Sequence, residues 1–596
     1  MPPYCLRIAV AACVLFTSGV AAAASVARVD VVGLDEEMTE NVRVALSAVA
    51  AIGKQVPVRR IGYLVRMAEE ETREALAPFG YYSPEIRVER TPDEEDVAIT
   101  VTVDPGEPVR VRNADVAILG EGGKDRDLGR DLGKFEPGKG EVFDHVAYEK
   151  SKLRITRRLA ERGYFDADFA SHRVEVTRAD HAADIDLVWN SGQRYAMGPT
   201  TFEQQPETII RDSVLEKLVY WNKGEHYHQA RLDRLRESLV KLDYFSQIDI
   251  QPLPDKAVDK QVPIQVTLTP AKRSIYTAGL SYGTESGAGV RLGIERRYVN
   301  DRGHKALAQL DYAQNLKALT LQYRIPAFAW RDGWYTASLR SVDEQSEYID
   351  SRRLQLVGSR SGQYNEFLNL VASVHALRER WLFAPEDYDP GTPLPYRYAT
   401  YSYPQLRAEY IDVDDRLFPT RGIGGSLSVG GGVEGAGSDS SFAQVHARAS
   451  WFKGLGERNR LIVRGEIGHT FTDALTVLPP SLRFYAGGDR SIRGYEYREV
   501  GPRLPATADR KAYSLGAENL VTASVEFERY FNPTWGGAVF VDSGDAFNGS
   551  TPDGHTGVGI GVRYRSPVGP IKFDIARGLK DPSSPFTIGL SVGADF

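Results

Sequence analysis

The last eleven residues limit the fold most tightly. Phe586, Ile588, Leu590, Val592, Ala594 and Phe596 are apolar, and Thr587, Gly589, Ser591, Gly593 and Asp595 stand between them. Strict alternation sends successive side chains to opposite faces of a strand. The pattern recurs at Val558, Ile560, Val562 and Tyr564, and at Ile571, Phe573 and Ile575 around Lys572 and Asp574. Leu461, Val463 and Ile467 alternate with Arg464 and Glu466. A soluble sandwich also alternates. These segments, however, approach the ~9–11 residues that a tilted strand needs to cross a bilayer. Charges on the minor face are tolerable where they line a wet lumen. From Lys272 onward helical periodicity is absent. Residues 271–596 allow about 20 residues per strand and connection if the strands number 16, an even count as such barrels require. A transmembrane antiparallel β-barrel of 16 strands is therefore expected over 271–596.

Composition fits that expectation. The mean hydropathy of -0.34 is too low for a bundle of membrane-spanning helices, and 56 Gly with 30 Tyr suits a long turn-rich β structure with aromatic girdles. The 73 basic and 80 acidic residues leave no basic footprint for nucleic acid. Residues 1–24 read as a secretory signal peptide: Arg7, an apolar Ile8–Phe16, and Ala22-Ala23-Ala24 as the cleavage site before Ser25. A membrane anchor and a lipoprotein signal ending at Cys13 are the rivals. Cleavage after Ala24 removes Cys5 and Cys13, the two cysteines of the chain. Disulfides, thiolate metal sites and cysteine nucleophiles are then excluded from the mature protein.

Between leader and barrel lies a threefold repeat. Gly80-Tyr81-Tyr82, Gly163-Tyr164-Phe165 and Asp243-Tyr244-Phe245 recur at intervals of about 80 residues. Each follows a helical stretch, such as Leu232, Leu235, Leu239 and Leu242, and precedes two strand-like runs. Those runs are Glu85–Glu89 with Val97–Val103, His172–Thr177 with Asp184–Trp189, and Gln247–Gln251 with Pro263–Thr269. A second landmark precedes each long helix: Gly53-Lys-Gln-Val56, Gly140-Glu-Val-Phe143 and Gly224-Glu-His-Tyr227. Each unit reads β-α-α-β-β, with Gly80 and Gly163 suited to a helix end at positive φ. The recurring tyrosines read as core packing. The units are placed at 25–106, 107–192 and 193–270, which makes the fold class α+β repeats followed by the barrel.

Three tandem units of this kind resemble POTRA domains, the periplasmic modules of the Omp85 family. The most specific motif supports the resemblance. Gly487-Gly488-Asp489-Arg490-Ser491-Ile492-Arg493-Gly494-Tyr495 is similar to the (V/I)-R-G-(F/Y) motif of the loop that folds back into Omp85 barrels. Ala523–Phe527 resembles the segment carrying a strand glutamate, here Glu526. Phe540-Val-Asp-Ser-Gly544 resembles the following F-x-D-x-G segment, carrying Asp542. The residues alone suggest the same contact. Glu526 and Glu528 share one face of a strand whose other face is Val521, Ala523, Val525 and Phe527, and an inserted arginine fork can bind a carboxylate bidentately. Arg493 between Glu526 and Asp542 would pin the loop in the lumen. Three separate solvated charges are the alternative.

A lateral seam is expected where the first strand, near Ile275–Tyr282, meets the last, near Phe586–Phe596. Its residues are Tyr276, Gly279, Leu280, Gly589, Gly593 and Phe596, with Gly283 and Gly287 nearby; glycine weakens a strand. Two G-x-S-x-G matches, at Gly279–Gly283 and Gly589–Gly593, lie inside alternating strands and lack the strand-turn-helix of a nucleophile elbow. His226-Tyr-His228 lacks carboxylate or thiolate partners at ligand spacing, and Gly430-Gly-Gly432 lacks phosphate-loop spacing. No enzyme, metal or cofactor is expected.

With three repeats, the chain resembles the TamA branch, the translocation and assembly module. That resemblance implies a cell outer membrane location with POTRA domains in the periplasm. It also implies insertion or translocation of client outer-membrane proteins such as autotransporters, by strand templating at the seam. A TamB-like partner anchored in the inner membrane and the lipid bilayer are the implied partners, with no nucleic acid. The alternative is a two-partner-type secretion pore that exports a soluble partner through the barrel. A passive porin would need no repeats.

Overall fold

Aspartates start three helices of the N-terminal third. Asp35 accepts the Met38 amide at 2.8 Å ahead of helix Glu36–Ala45. Asp125 accepts that of Asp127 at 3.0 Å ahead of Arg126–Leu132. Asp144 accepts those of Val146 and Ala147 ahead of His145–Glu161. Each satisfies amides that the first helical turn leaves without partners. In this computed structural model the described residues are 23–93, 96–283, 286–346, 348–384, 393–505, 513–566 and 569–592. The expected leader lies outside them except for Ala23 and Ala24. These two begin strand Ala23–Val32 and pair with Pro57 and Val56.

The three units follow the β-α-α-β-β order. The first runs Ala23–Val32, Glu36–Ala45, Val58–Leu76, Glu85–Asp93 and Asp96–Asp104. The second runs Arg110–Leu119, Arg126–Leu132, His145–Glu161, Asp168–Thr177 and Ala182–Asn190. The third runs Ala196–Gln204, Asp212–Leu215, Gln229–Leu242, Phe245–Pro252 and Gln261–Pro270. In the first two units the first and last strands pair in parallel, and the remaining strand adds antiparallel to the last. Each has its own core, around Leu64, Leu76, Ile99 and Val101 in the first and Ile155, Leu159, Leu187 and Trp189 in the second. The chain forms two compact units, one built around these two repeats and one around the barrel, with the third repeat's residues shared between them.

The two recurring landmarks meet each other. The Gly80 carbonyl accepts the Val109 amide at 2.8 Å. A Cβ on Gly80 would stand 2.9 Å from Val142 and 3.0 Å from the Phe143 carbonyl. One repeat later, the Gly163 carbonyl accepts the Tyr195 amide at 2.8 Å, and a Cβ on Gly163 would stand 2.8 Å from that of Tyr227. Phe165 packs edge-on against Tyr195 and Tyr227, with centroids 5.5 and 4.8 Å away. The Tyr244 carbonyl likewise accepts the Ala271 amide at 2.8 Å, where the third repeat leads into the barrel. Tyr164 and Tyr244 are buried and Tyr81 is half-buried. The tyrosine segments therefore pack as expected and also carry the joints between successive units.

Sixteen antiparallel strands, from Ser274–Gly283 to Thr587–Val592, each pair with the next. This is the architecture expected from the alternation, with the strand number that the length of 271–596 accommodates. The expected final strand is shorter among the described residues, because 593–596 lie outside them. Along Asn519–Tyr530, Val521, Val525 and Phe527 are exposed on the lipid side, while Glu526 and Glu528 are buried on the lumen side. Gly430-Gly431-Gly432 ends strand Gly422–Gly432. No helix among the described residues is long and apolar enough to span a membrane.

Candidate functional site

The long connection between strands Asn459–Phe471 and Asn519–Tyr530 enters the lumen. Positive φ at Gly487, Gly488 and Gly494 shapes its descent. Gly494 is pressed so close to the barrel wall that a Cβ would stand 2.5 Å from the Arg577 carbonyl carbon. Ile492 is fully buried and packs in a cluster with Phe484, Val500, Leu520 and Ala546. The Tyr495 hydroxyl donates to the Lys580 carbonyl at 2.9 Å and accepts the Lys580 amide at 3.0 Å.

Arg493, 3% exposed, is the centre of the arrangement. Its Nε and Nη2 donate to the two Asp542 oxygens at 2.7 and 2.9 Å, and its backbone amide reaches the same carboxylate at 3.0 Å. Nη1 donates to Glu526 at 2.7 Å and to Asp574 at 3.2 Å. The guanidinium carbon lies 3.3 Å from the centre of the Phe540 ring, a cation–π contact in a water-poor setting. Strand register assembles these partners. Ser524 pairs with Asp542 and Glu526 with Phe540, so all four face inward in neighbouring rows.

A second arginine, Arg563, completes a charge lattice that the sequence reading missed. It donates to Glu526 at 2.7 Å, Glu528 at 3.1 Å and Asp574 at 2.6 Å. Arg460 reaches Glu528 from the other side at 2.5 Å. Buried carboxylates and guanidinium groups thus alternate, which is what makes buried charge tolerable. The strand carrying Arg563 also has a glycine row. Gly557, Gly559 and Gly561 face the lumen, while Val558, Ile560 and Val562 face lipid. A Cβ at Gly557 would collide with the Arg493 carbonyl, at Gly559 with the Phe540 ring and at Gly561 with Asp574. The alternation Gly-Val-Gly-Ile-Gly-Val-Arg held this signal: the lumenal positions of one strand are emptied to admit the loop.

The first part of the loop grips a different part of the wall. Leu478 and Leu482 are buried in a cluster with Trp381, Tyr401, Tyr403 and Phe442. Gln444 donates to the Leu482 carbonyl at 2.9 Å, and Arg397 to that of Thr476 at 2.9 Å. One loop thus has an apolar anchor and an ionic anchor on separate groups of strands.

The expected seam residues have distinct surroundings. Ser274–Gly283 and Thr587–Val592 are the two ends of the strand order, and among the described residues no ladder joins them. Tyr276 is 73% and Leu280 91% exposed, and a Cβ on Gly279 would meet nothing within 4 Å. Gly589 differs: the space beside it is filled by the Asp489 carboxylate of the loop. Its missing side chain makes room for the loop as well as weakening a strand. The Gly494 amide donates to Thr587 Oγ1 at 3.0 Å, and Ser584 donates to Glu496 at 2.6 Å. The loop therefore also holds the last strand and its hairpin. Gly593 and Phe596 lie outside the described residues. His228 Nδ1 accepts the Ala230 amide at 3.1 Å, a local turn contact.

Comparison with known proteins matches residues 405–596 to the Omp85 superfamily domain. Residues 28–105 match the POTRA domain TamA domain 1, and 111–190 the POTRA family described as surface antigen variable number repeat. The chain is 25% identical over 430 residues to the outer membrane protein assembly factor BamA of Nitratidesulfovibrio vulgaris, covering 70% of this chain and 52% of the relative. It is 21% identical over 429 residues to that of Neisseria meningitidis, covering 62% and 53%. It spans about half the length of these curated relatives. The crystal structure of Haemophilus ducreyi BamA lacking POTRA domains 1–3 shares the fold, with a TM-score of 0.63 at 17% identity over 81% of this chain and 99% of that one. The chain thus carries an Omp85 superfamily domain over residues 405–596 behind POTRA domains at 28–105 and 111–190, an outer-membrane β-barrel with its POTRA domains in the periplasm.

Proposed function

We propose that this protein assembles other outer-membrane proteins, autotransporters among them, by offering a strand edge at the seam. The exposed first strand carries the reading. Among the described residues, backbone groups along Ser274–Gly283 have a ladder partner on one side, Gly287–Arg296, and an unpaired edge is a ready template for another strand. A client strand would add there, while the loop lock of Ile492–Tyr495 with Glu526 and Asp542 keeps the barrel wall in register. The match of the first repeat to a TamA POTRA domain supports the TamA-like branch and a TamB-like partner at the repeats. The two loop anchors disfavour a permanently open secretion pore, which would need the loop out of the bore.

The test pairs single cysteines placed along Tyr276–Leu280 with single cysteines along Ile588–Leu590. An oxidised cross-link should block autotransporter assembly, with recovery on reduction. Undiminished assembly through a closed cross-link would overturn the seam reading. Proteomics of depleted outer membranes then separates the branches: selective loss of autotransporters supports the proposal, and loss of a single exported soluble protein favours the pore.

A further inference from the structure

A groove of about 590 Å³ lies on the lipid face of the barrel, far in strand order from the seam. Its floor is made by Ala337, Gly358 and Ala372, on three successive strands. Ala337 pairs with Gly358, and Arg360 pairs with Ala372. Tyr335 and Leu406 are among its walls, both well exposed. No close approach within the described residues requires a glycine at 358. A Cβ there would meet nothing within 4 Å, and its φ is not in the left-handed region. A strand glycine costs stability, so an empty strip on a lipid-facing wall marks a place where something outside the chain approaches closely.

At one end of the groove stands Arg360. It shares the lipid-facing row with Tyr335. Its guanidinium carbon lies 4.8 Å from the Tyr335 ring and 5.0 Å from that of Trp330. Nη2 donates to the Ala327 carbonyl at 2.6 Å and Nη1 to the Ser361 carbonyl at 3.1 Å. Among the described residues no carboxylate forms an ion pair with it, so the positive charge is oriented but not neutralised. This end faces the periplasm. Gln363, at the end of the same strand, accepts from Lys241 of the third repeat at 3.1 Å. An ordinary snorkelling arginine keeps a mobile head in water; this one is fixed by two carbonyls and two rings at the depth of an aromatic belt.

We propose that the groove binds one anionic phospholipid of the periplasmic leaflet, with its phosphate on Arg360 and an acyl chain lying over Gly358. Guanidinium and phosphate pair through charge-assisted hydrogen bonds, and the volume is within the range of built ligand sites. The site is independent of the assembly reading.

Full-length protein is reconstituted in phosphatidylethanolamine nanodiscs with or without phosphatidylglycerol. Retained lipid is then counted by native mass spectrometry after detergent release. Wild type should keep one phosphatidylglycerol in preference to phosphatidylethanolamine. Arg360→Gln should lower that retention about tenfold, the effect of losing a hydrogen bond to a charged group, and Gly358→Leu should lower it by filling the strip over which the acyl chain lies. Unchanged heat-modifiable mobility on gels shows that each variant barrel is folded. Equal retention of both lipids by wild type, or equal phosphatidylglycerol retention by all three proteins, overturns the site. If a variant does not fold, wild type alone decides with a photoactivatable phosphatidylglycerol. Labelling confined to residues 335–337, 358–360 and 372–374 supports the site. Labelling spread around the barrel, or abolished by lipopolysaccharide, refutes it.

Discussion

At Arg493 one side chain contacts three carboxylates and a ring, and each contact depends on the planar fork of guanidinium. Lysine at the same place would keep the charge and lose the bidentate grip on Asp542. Removing one partner of a buried ion pair costs ~3–5 kcal/mol. Arg493→Ala should therefore destabilise the barrel more than Arg490→Ala, whose side chain is exposed, and Arg493→Lys should rescue it only in part. The midpoint of heat-modifiable unfolding measures this; equal and negligible effects for both alanine variants would count against the lock. Gly557→Val tests the same contact from the wall. It should push the Ile492–Tyr495 segment off the wall and speed its cleavage by added protease, while the apolar anchor and the lipid-facing residues of its strand stay unchanged. Ile492–Tyr495, Glu526 and Asp542 were legible as separate segments because each carries a distinctive neighbourhood. Arg563 and Asp574 were not, because a lumenal charge looks like any solvated charge until strand register shows what stands opposite.

At the level of elements, the repeats were readable because helix-then-strand periodicity and two landmarks recur at a fixed interval. That the landmarks touch each other was not, since the contact joins one unit to the next. Gly163→Val should disrupt the second joint by clashing with Tyr227, and should raise hydrogen exchange at both Gly163–Phe165 and Tyr195. Faster exchange at only one of these would argue that the joint is not a single unit. The second repeat also has an acid-sensitive point. Burial alone would raise the Asp125 carboxyl, but Arg162 at 2.6 Å and the amides of the helix it caps hold it below its ordinary value. Its stabilisation is thus complete above the usual carboxylate range and disappears as pH falls through the lowered value. Full-length protein should lose exchange protection over 125–132 in that acid window. Asp125→Asn should be less protected at neutral pH and should lack this acid step.

For the whole molecule, alternation made the barrel legible and its length made sixteen strands fit, yet both left the interior unseen. A loop carries no period that tells which wall it will meet. The two anchors make a separable prediction. Leu482→Asp should free the apolar anchor and Arg493→Ala the ionic one. Planar-bilayer conductance should rise only slightly for either change and sharply for the double variant, because either anchor alone still keeps the loop in the bore. A large conductance already present in wild type would mean that the loop does not seal it.

The loop's hold on Thr587, Ser584 and the space beside Gly589 ties two motions into one equilibrium. Binding couplings are reciprocal. By whatever factor displacement of the last strand weakens the loop's grip, release of the loop weakens the grip on that strand. A strand arriving from the periplasm and an antibody fragment drawing the loop outward at the cell surface would then act on the same balance from opposite sides of the membrane. Such a fragment should tighten the binding of a client strand, and by the same factor a bound strand should tighten the fragment's binding.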